Sequence, residues 1–372
     1  MFLVFFQSQT VAPLIPVLAA EFAAPASLAG LLVPAYALPY GAMALVYGPL
    51  SDRFGRRRVV SLCIGALALG ALGSALAPTL GVLLLVRVAA GLSAGGVVPV
   101  SLAYVADRYS YRERGQAIGV IFGALALGQG VGYSLGPALE PWLGWRAIFV
   151  GLAGVAAAVL ALLVLSPAPP PPPAPAALAA SGGAAIGYRD VLRQPRARRV
   201  YTFIVLGGLC SSGIASWFGV YVHERFGLGS LAIAGTYLAA GVLGGVSPLV
   251  GALADRVGRG RLIPGGLATM ALGALMLALQ GPLGLAIVGL AAVSLGLQLT
   301  YPLLAGLASE LAPQARGRAL GLNTFSMFMG VGSGSLLVGA LLPVGYGAAF
   351  GAVALLAAGG AVAALRLLRG ER

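Results

Sequence analysis

The stretch from Gly48 to Arg58 reads GPLSDRFGRRR, and a near copy, GALADRVGRGR, runs from Gly251 to Arg261. Asp52 and Asp255 hold the same place in the two copies, 203 positions apart. Other residues repeat at this spacing or at one position less: Pro99 with Pro302, Asp107 with Glu310, and GQAIG at 115–119 with GRALG at 317–321. A repeat on this scale predicts a chain built from two related halves.

The composition excludes most soluble proteins. Of the 372 residues, 59% are hydrophobic and 9% are charged, whereas soluble domains carry roughly 25% charged residues. Too few polar side chains remain to cover a water-facing surface. Cys63 and Cys210 lie in apolar runs, which is typical of buried thiols rather than of a disulfide or a metal site. The sequence contains no phosphate-binding loop, metal cluster or catalytic triad, so it predicts neither an enzyme nor a cofactor or metal.

Apolar runs of roughly 20 residues, the length that crosses a bilayer, account for nearly the whole chain. Twelve such runs lie at approximately 2–20, 28–50, 59–77, 80–106, 115–138, 145–165, 200–221, 228–253, 262–280, 283–308, 317–341 and 346–366. The expected regions are a first bundle at 1–166, a cytoplasmic linker at 167–199 and a second bundle at 200–372. We therefore expect an all-α membrane protein whose twelve transmembrane helices form two pseudo-symmetric six-helix bundles.

The linker has two parts of different character. Residues 167–175 are rich in proline, which favours either an extended, semi-rigid segment or a plain solvated linker. Tyr188–Arg199 reads YRDVLRQPRARR, a basic stretch that suits an anionic membrane surface.

All 23 basic residues are arginines, and the formal net charge is +13. If the N-terminus is cytoplasmic, 20 arginines fall in the inner loops and tail, Arg146 and Arg225 lie outside, and Arg87 lies within a span. This asymmetry is the positive-inside pattern. It predicts a multi-pass protein of the cell (inner) membrane with both termini in the cytoplasm. Because the arginines are shared among separate loops, they exclude a nucleic-acid partner.

These features resemble the major facilitator superfamily of transporters. The loop Gly48–Arg58 resembles the superfamily's signature between the second and third spans, and RVAAG at 87–91 resembles that of the fourth span. GVGYSLGP at Gly130–Pro137 resembles the fifth-span signature of proton-coupled drug antiporters. The residues of this antiporter-like motif are Gly128, Gly132, Gly136 and Pro137.

The resemblance implies a gate at the cytoplasmic side. Asp52 would hold the start of the eleventh span near Gly317, while Arg56 reaches Asp107. In the second half Asp255 would hold the start of the fifth span, and Arg259 would pair with Glu310. The expected gate residues are Gly48, Asp52, Arg53, Gly55, Arg56, Asp107, Asp255, Arg256, Gly258, Arg259 and Glu310. The alternative is that these charges serve only to orient the chain in the membrane.

Two residues are candidates for coupling transport to protons. Arg87 is the only clearly intramembrane charge, and its cost there requires a partner or a wet cavity. Gln9, Glu21 and carbonyl groups of the first span are the possible partners, and a structural tie between spans is the alternative role. The middle third of every span lacks Asp and Glu. Glu21 is therefore the best acidic candidate, although it could equally be an outer-loop charge.

Polar and aromatic residues within the spans predict the substrate cavity. The candidates are Gln7, Tyr36, Tyr40, Gln129, Trp217, Gln298, Tyr301 and Asn323. Amides and rings suit a neutral or cationic amphipathic molecule. We expect a monomeric secondary transporter that works by alternating access in the lipid bilayer, with a small-molecule substrate and protons as partners. Efflux of drug-like compounds is the favoured direction. The scarcity of carboxylates favours the alternative, a facilitator or symporter of a sugar or another metabolite.

Overall fold

The computed structural model describes the backbone of residues 1–108, 111–167, 187–244, 258–311 and 316–368. Side chains are described throughout these ranges except at positions 106, 111–118, 122, 244, 259 and 316. The described chain is helical. Its helices are α1 Phe2–Glu21, α2 Ala26–Ala29, α3 Leu32–Phe54, α4 Arg56–Ala75, α5 Leu80–Ala94, α6 Val97–Arg108, α7 Tyr111–Leu165, α8 Tyr188–Arg193, α9 Pro195–Phe226, α10 Ser230–Gly244, α11 Arg259–Ala278, α12 Leu283–Glu310, α13 Arg316–Leu341 and α14 Tyr346–Leu367.

The helices follow the predicted spans. Within the described residues, ten helical stretches are long and apolar enough to cross a membrane, and the longest, 119–165, has 47 residues. That stretch covers most of the fifth predicted span and all of the sixth. Gly144 (φ 72°) interrupts the helical backbone of α7 between the two spans. The eighth predicted span is described as far as Gly244, in the shorter apolar helix α10.

Helix α9 starts before the seventh predicted span. It begins at Pro195 rather than at position 200, since proline is well suited to the first position of a helix, where its missing N–H leaves no hydrogen bond unmade. The basic stretch before it forms the short helix α8, and Gln194 (ψ 124°) makes the bend between the two helices.

Each half is a bundle whose helices are apolar inside and outside. In the first half α1 and α4 pack on α7, and α3 packs on α5; in the second half α9 packs on α13, and α11 on α12 and α14. Large apolar side chains also point outward, with Leu62, Leu165 and Leu355 all more than 70% exposed. Such an exterior fits a bilayer, where lipid covers the outward faces.

The repeat is visible in the backbone. Gly55 (φ 90°, ψ 131°) directly precedes α4, and Gly258 (φ 87°, ψ 141°) directly precedes α11. Side chains are strained at these positive φ values, so glycine is the residue suited to both turns. The two signature loops therefore enter their following helices through the same turn.

Among the described residues, most contacts between the two halves are made by three helix pairs: α1 with α9, α3 with α13, and α7 with α10. In the second pair the rings of Tyr40 and Phe328 stack at 3.9 Å. In the third, Tyr133 and Tyr237 stack at 5.0 Å with planes only 4° apart. The interface between the halves is thus made largely by aromatic rings and close-packed backbone.

Candidate gate and substrate cavity

The signature loop of the first half forms a charge cluster at the arginine-rich side of the protein. Arg56 makes an ion pair with Asp52 at 3.0 Å and a second ion pair, through Nε, with Asp107 at the end of α6. Its Nη1 donates to Ser51 Oγ at 3.2 Å. The side chains of Arg56, Asp52 and Asp107 are 23%, 61% and 38% exposed, so the cluster is open to solvent. An exposed cluster of this kind is weak enough to break and re-form.

Asp52 has a partner within its own loop, since it pairs with Arg56. Residues 312–315 and the side chain of Arg316 lie outside the described residues, so the contact between Asp52 and the start of the eleventh span stays a prediction. Gly48 accepts a hydrogen bond from Ser51 Oγ at 2.8 Å, which fixes the last turn of α3, while Arg53 is exposed.

The second signature loop lies mostly outside the described residues. Asp255, Arg256 and the side chain of Arg259 are among those outside them. Gly258 is described and has the turn geometry given above, and Glu310 is exposed at the C-terminal end of α12.

Two residues missing from the sequence-based set also act at this side. Arg57 Nη2 donates to the carbonyl groups of Leu163 and Ser166, and so caps the end of α7 with a cation. Tyr188 in α8 donates to the Leu45 carbonyl at 2.8 Å. Burial raises the pKa of Tyr188, and nearby Asp52 raises it further while Arg318 lowers it. The phenol is therefore protonated and able to donate at neutral pH.

Arg87 is held inside the first bundle. It is only 1% exposed, and it donates to the Gln7 carbonyl at 3.2 Å and to the Leu32 carbonyl at 3.3 Å. Its guanidinium also lies 4.4 Å from the Tyr36 ring centroid. Of the partners considered from the sequence, the structure places a first-span carbonyl against Arg87. Among the described residues Arg87 Nη2 and both side-chain polar atoms of Gln7 have no hydrogen-bond partner.

Glu21 lies at the other end of α1 and has different partners. It accepts a hydrogen bond from Trp145 Nε1 at 2.6 Å and forms an ion pair with Arg146. Arg146 also donates to the Ala77 carbonyl at 3.3 Å, beyond the end of α4. Glu21 therefore ties α1, α4 and the segment of α7 after Gly144 together. The structure does not bring it to Arg87. We name this set, Glu21 with Trp145, Arg146 and Ala77, the first-half tie.

The second half has a corresponding set, which the sequence reasoning missed. Glu224 at the end of α9 accepts from the Tyr346 hydroxyl at 2.8 Å, and Arg225 donates to the Gln280 carbonyl beyond the end of α11. We name Glu224, Tyr346, Arg225 and Gln280 the second-half tie. The repeat could have revealed it, since Glu21 and Glu224 are 203 positions apart, as are Ala77 and Gln280.

The antiporter-like glycines form the contact between α7 and α1. A Cβ atom added at Gly128 would lie 2.5 Å from the Phe2 carbonyl oxygen, and one at Gly132 would lie 2.9 Å from that of Phe6. Gly136 faces Thr10 in the same way, and Thr10 Oγ1 donates to the Gly132 carbonyl at 3.2 Å. Both helices meet at every fourth residue, so these glycines allow close approach of two backbones. Pro137, the last residue of the motif, is buried.

The predicted cavity residues divide into separate groups. Gln7 and Tyr36 lie around Arg87, and Tyr40 is next to them on α3. Asn323 Nδ2 donates to the Tyr301 hydroxyl at 3.1 Å between α13 and α12. The side-chain oxygen of Asn323 and the hydroxyl of Tyr40 have no hydrogen-bond partner within the described part of the chain.

Three of the candidates lie elsewhere. Trp217 packs where the halves meet, with its ring against Gly30 and Gly339 and its Nε1 donating to the Ser335 carbonyl at 2.8 Å. Gln129 and Gln298 are partly buried on α7 and α12.

A cavity of about 240 Å³ opens between α7, α9, α10 and α12. The stacked rings of Tyr133 and Tyr237 line it, together with Ser134, Ser294 and apolar residues. None of the eight residues expected to form the cavity lines this one. The sequence identified polar residues in spans but not which helix faces meet, because these helices are apolar on all sides.

The sequence pattern of the Major Facilitator Superfamily matches residues 1–312 and 244–372. The chain belongs to the major facilitator superfamily. It is therefore a multi-pass membrane transporter and not an enzyme, and it shares the superfamily's fold of apolar helices in two related bundles.

Several relatives and solved structures are similar to this superfamily member. It is 28% identical to the uncharacterized MFS-type transporter YwfA of Bacillus subtilis, over 94% of this chain and 84% of that one. It is 37% identical to a chloramphenicol resistance protein of Pseudomonas aeruginosa over a shorter region, 40% of this chain and 36% of that one. The crystal structure of a D-xylose–proton symporter is similar in fold, with a TM-score of 0.77, 20% identity, and coverage of 98% of this chain and 94% of that one.

Proposed function

We propose that this superfamily member is a proton-coupled exporter of small amphipathic compounds that works by alternating access. It crosses the cell (inner) membrane twelve times as a monomer, with both termini in the cytoplasm and with bundles at 1–166 and 200–372 joined by the linker.

The glycine contact between α7 and α1 carries the proposal. It is formed by the residues that resemble the antiporter motif, Gly128, Gly132 and Gly136. Because the contact is made by backbone and small groups, it can serve as a smooth surface along which the two helices adjust during the transport cycle. The resistance protein among the relatives supports export as the direction.

The cluster around Arg56 supplies the gate. Arg56 joins the loop after α3 to Asp107 at the end of α6, and both acids are partly exposed. Ion pairs of this type are worth about 1 kcal/mol or less. Alternating states of one protein differ by a few kcal/mol, so a contribution of this size shifts the balance between them without locking one state. The gate is thus strong enough to bias one state and weak enough to open.

Of the two coupling candidates, the contacts favour Arg87. Glu21 is occupied by Trp145 and Arg146 at the arginine-poor side. Arg87 is buried among groups whose hydrogen-bonding capacity is unused, Gln7 above all. A charge buried inside the bundle needs polar partners or a wet cavity, and these unused groups provide the partners, which makes Arg87 the residue that we assign to coupling.

The cavity supports a small amphipathic substrate. Its volume of about 240 Å³ is near the lower end of ligand pockets, which measure roughly 300–1,000 Å³. Two tyrosine rings provide flat apolar contact, and the hydroxyl of Ser134 or Ser294 provides a hydrogen bond.

Transport into proteoliposomes tests the function. We expect radiolabelled chloramphenicol to accumulate in vesicles with an acidic interior and the accumulation to collapse when the pH gradient is dissipated. The matched variants are Gly132→Ala and Gly154→Ala. A methyl group at Gly132 meets the backbone of α1, whereas nothing lies within 4 Å at Gly154, an exposed position of α7 outside the cavity. Gly132→Ala should therefore reduce the flux at least several-fold, because overpacking costs about 1–3 kcal/mol, while Gly154→Ala should not. Flux that is equal with and without the gradient would refute proton-coupled export.

The second candidate is a symporter or facilitator of a sugar or another small metabolite. The absence of carboxylates from the middle of the spans favours it. The same vesicles distinguish the two, since D-xylose would then enter and equilibrate while chloramphenicol would not.

A further inference from the structure

We propose that the bend between α8 and α9 is a binding site for the headgroup of an anionic phospholipid. The site is a surface crevice of about 410 Å³ lined by Arg189, Leu192, Arg193 and Arg198. Arg189, Leu192 and Arg193 come from α8, and Arg198 comes from the first turn of α9.

Local chemistry holds the two helices at this angle. The Gly187 N–H donates to Asp190 Oδ2 at 2.8 Å and caps the start of α8. Gln194 is extended, and Pro195 starts the next helix. The turn between α8 and α9 therefore brings three guanidinium groups to one crevice.

The buried face of this segment fixes it to the protein. Val191 and Ala197 are both 0% exposed, and the Tyr188 hydroxyl donates to the Leu45 carbonyl of α3. That hydroxyl also lies 3.5 Å from the Cβ position of Gly321 on α13. The segment thus rests on helices from both halves, and the arginines point away from it.

The charges of the crevice are largely unused. Arg193 faces Asp190 at 3.5 Å, but these side chains are 82% and 51% exposed, so the pair is weak. No ion pair or hydrogen bond joins the side chain of Arg189 or Arg198 to the part of the chain that the structure describes. The crevice itself has three arginines, and Asp190 is the one acid beside them within the described segment 187–199. The crevice therefore attracts an anionic partner.

The level of the crevice along the bilayer normal favours a lipid as this partner. Helix α9 has 32 residues, so it is about 48 Å long, whereas the hydrocarbon core of a bilayer is roughly 30 Å thick. The first turns of α9 therefore extend to the level of the headgroups. Guanidinium groups bind phosphate oxygens in a bidentate manner. Leu192, 37% exposed beside them, would contact the start of an acyl chain.

Binding of fluorescent phosphatidylglycerol to the purified full-length protein tests the site. We expect unlabelled phosphatidylglycerol to displace the probe and phosphatidylcholine to do so far less well. The triple variant Arg189→Gln, Arg193→Gln, Arg198→Gln should bind the probe about tenfold more weakly or worse, since each arginine near an anionic surface contributes about a factor of five. If the triple variant does not fold, Arg198→Gln alone should give a loss of several-fold.

The control removes the same charge from the same side of the protein. Arg58, Arg261 and Arg366 are exposed and lie outside the crevice, so their replacement by Gln should leave binding within twofold. An equal loss in both triple variants would show a general charge effect and overturn the site. Displacement of the probe by millimolar inorganic phosphate would assign the crevice to free phosphate and overturn the lipid assignment.

Discussion

The two halves tie their first helix to the third and sixth in the same places but with different side chains. In the first half one carboxylate, Glu21, receives both Trp145 and Arg146. In the second half Glu224 receives Tyr346 alone, and Arg225 from the same helix reaches the Gln280 carbonyl. The repeat has preserved the carboxylate at Glu21 and Glu224 but not the residues that contact it.

The difference also accounts for the two exceptions to the arginine asymmetry. Arg146 and Arg225 are the arginines on the arginine-poor side, and each one covers the carbonyl group that follows the third helix of its half. Unpaired carbonyl groups at a helix end are well matched by a cation. Each of these two arginines therefore has a structural contact at a helix end, which accounts for its presence on the arginine-poor side.

Removing the ring at the centre of the first-half tie should have the largest effect. Trp145 is 2% exposed and packs against Phe22 and Phe149. Trp145→Ala should lower the free energy of unfolding by about 3–5 kcal/mol, measured by thermal unfolding of the detergent-purified protein. Trp142→Ala is the control, since Trp142 is 68% exposed. Tyr346→Phe in the second half should cost only about 1 kcal/mol, the value of one hydrogen bond. Equal losses at Trp145 and Tyr346 would remove the distinction between the ties.

Neutralising the two carboxylates compares the halves directly. Glu21→Gln weakens two interactions and leaves Arg146 without its counter-charge, so it should cost about 1–2 kcal/mol. Glu224→Gln should cost less, because Tyr346 can still donate to the amide oxygen. Both variants should retain the dependence of transport on the pH gradient. Loss of that dependence in Glu21→Gln, with normal stability, would make Glu21 the coupling residue and contradict the structural role.

A smaller effect is expected at the arginine-rich side, where the two halves can be compared at Asp107 and Glu310. Asp107→Asn removes one of two acids from Arg56, and the shift of about 1 kcal/mol should change turnover roughly fivefold. The reactivity of cysteine probes introduced at this side should rise in parallel. Glu310→Gln, the repeat counterpart, should give a change of the same sign. Unchanged turnover and accessibility in Asp107→Asn would mean that the charges orient the chain but do not gate it.

The fold follows from the sequence because its determinants are additive. Span length and the distribution of arginines are sums over many residues, and the all-helical membrane fold expected from them and from the superfamily resemblance is confirmed. The break at Gly144 falls in the gap expected between the fifth and sixth spans. The start of α9 depends on the single residue Pro195 and lies a few residues before the expected start of the seventh span.

The contacts of the site were less accessible to sequence reasoning. Arg87 is held by carbonyl groups, and every residue has one, so no pattern marks the acceptor. Glu21 meets Trp145 across 124 positions, and only the repeat offset hints at such a tie. Tyr133 and Tyr237, which line the cavity, come from different halves. Their meeting depends on how the bundles pack, which apolar helices with no polar face do not encode locally.

The position of Trp217 gives the protein a built-in optical reporter. The chain has three tryptophans, and Trp217 is the one enclosed between the halves, 1% exposed. A Cβ atom added at Gly30 of the opposite half would overlap its ring. Any movement that separates these helices would admit water or lipid to the indole and shift its emission. In a Trp142→Phe, Trp145→Phe variant, Trp217 would be the remaining tryptophan. Its fluorescence would then follow the separation of the two halves around it, in unlabelled protein and in real time.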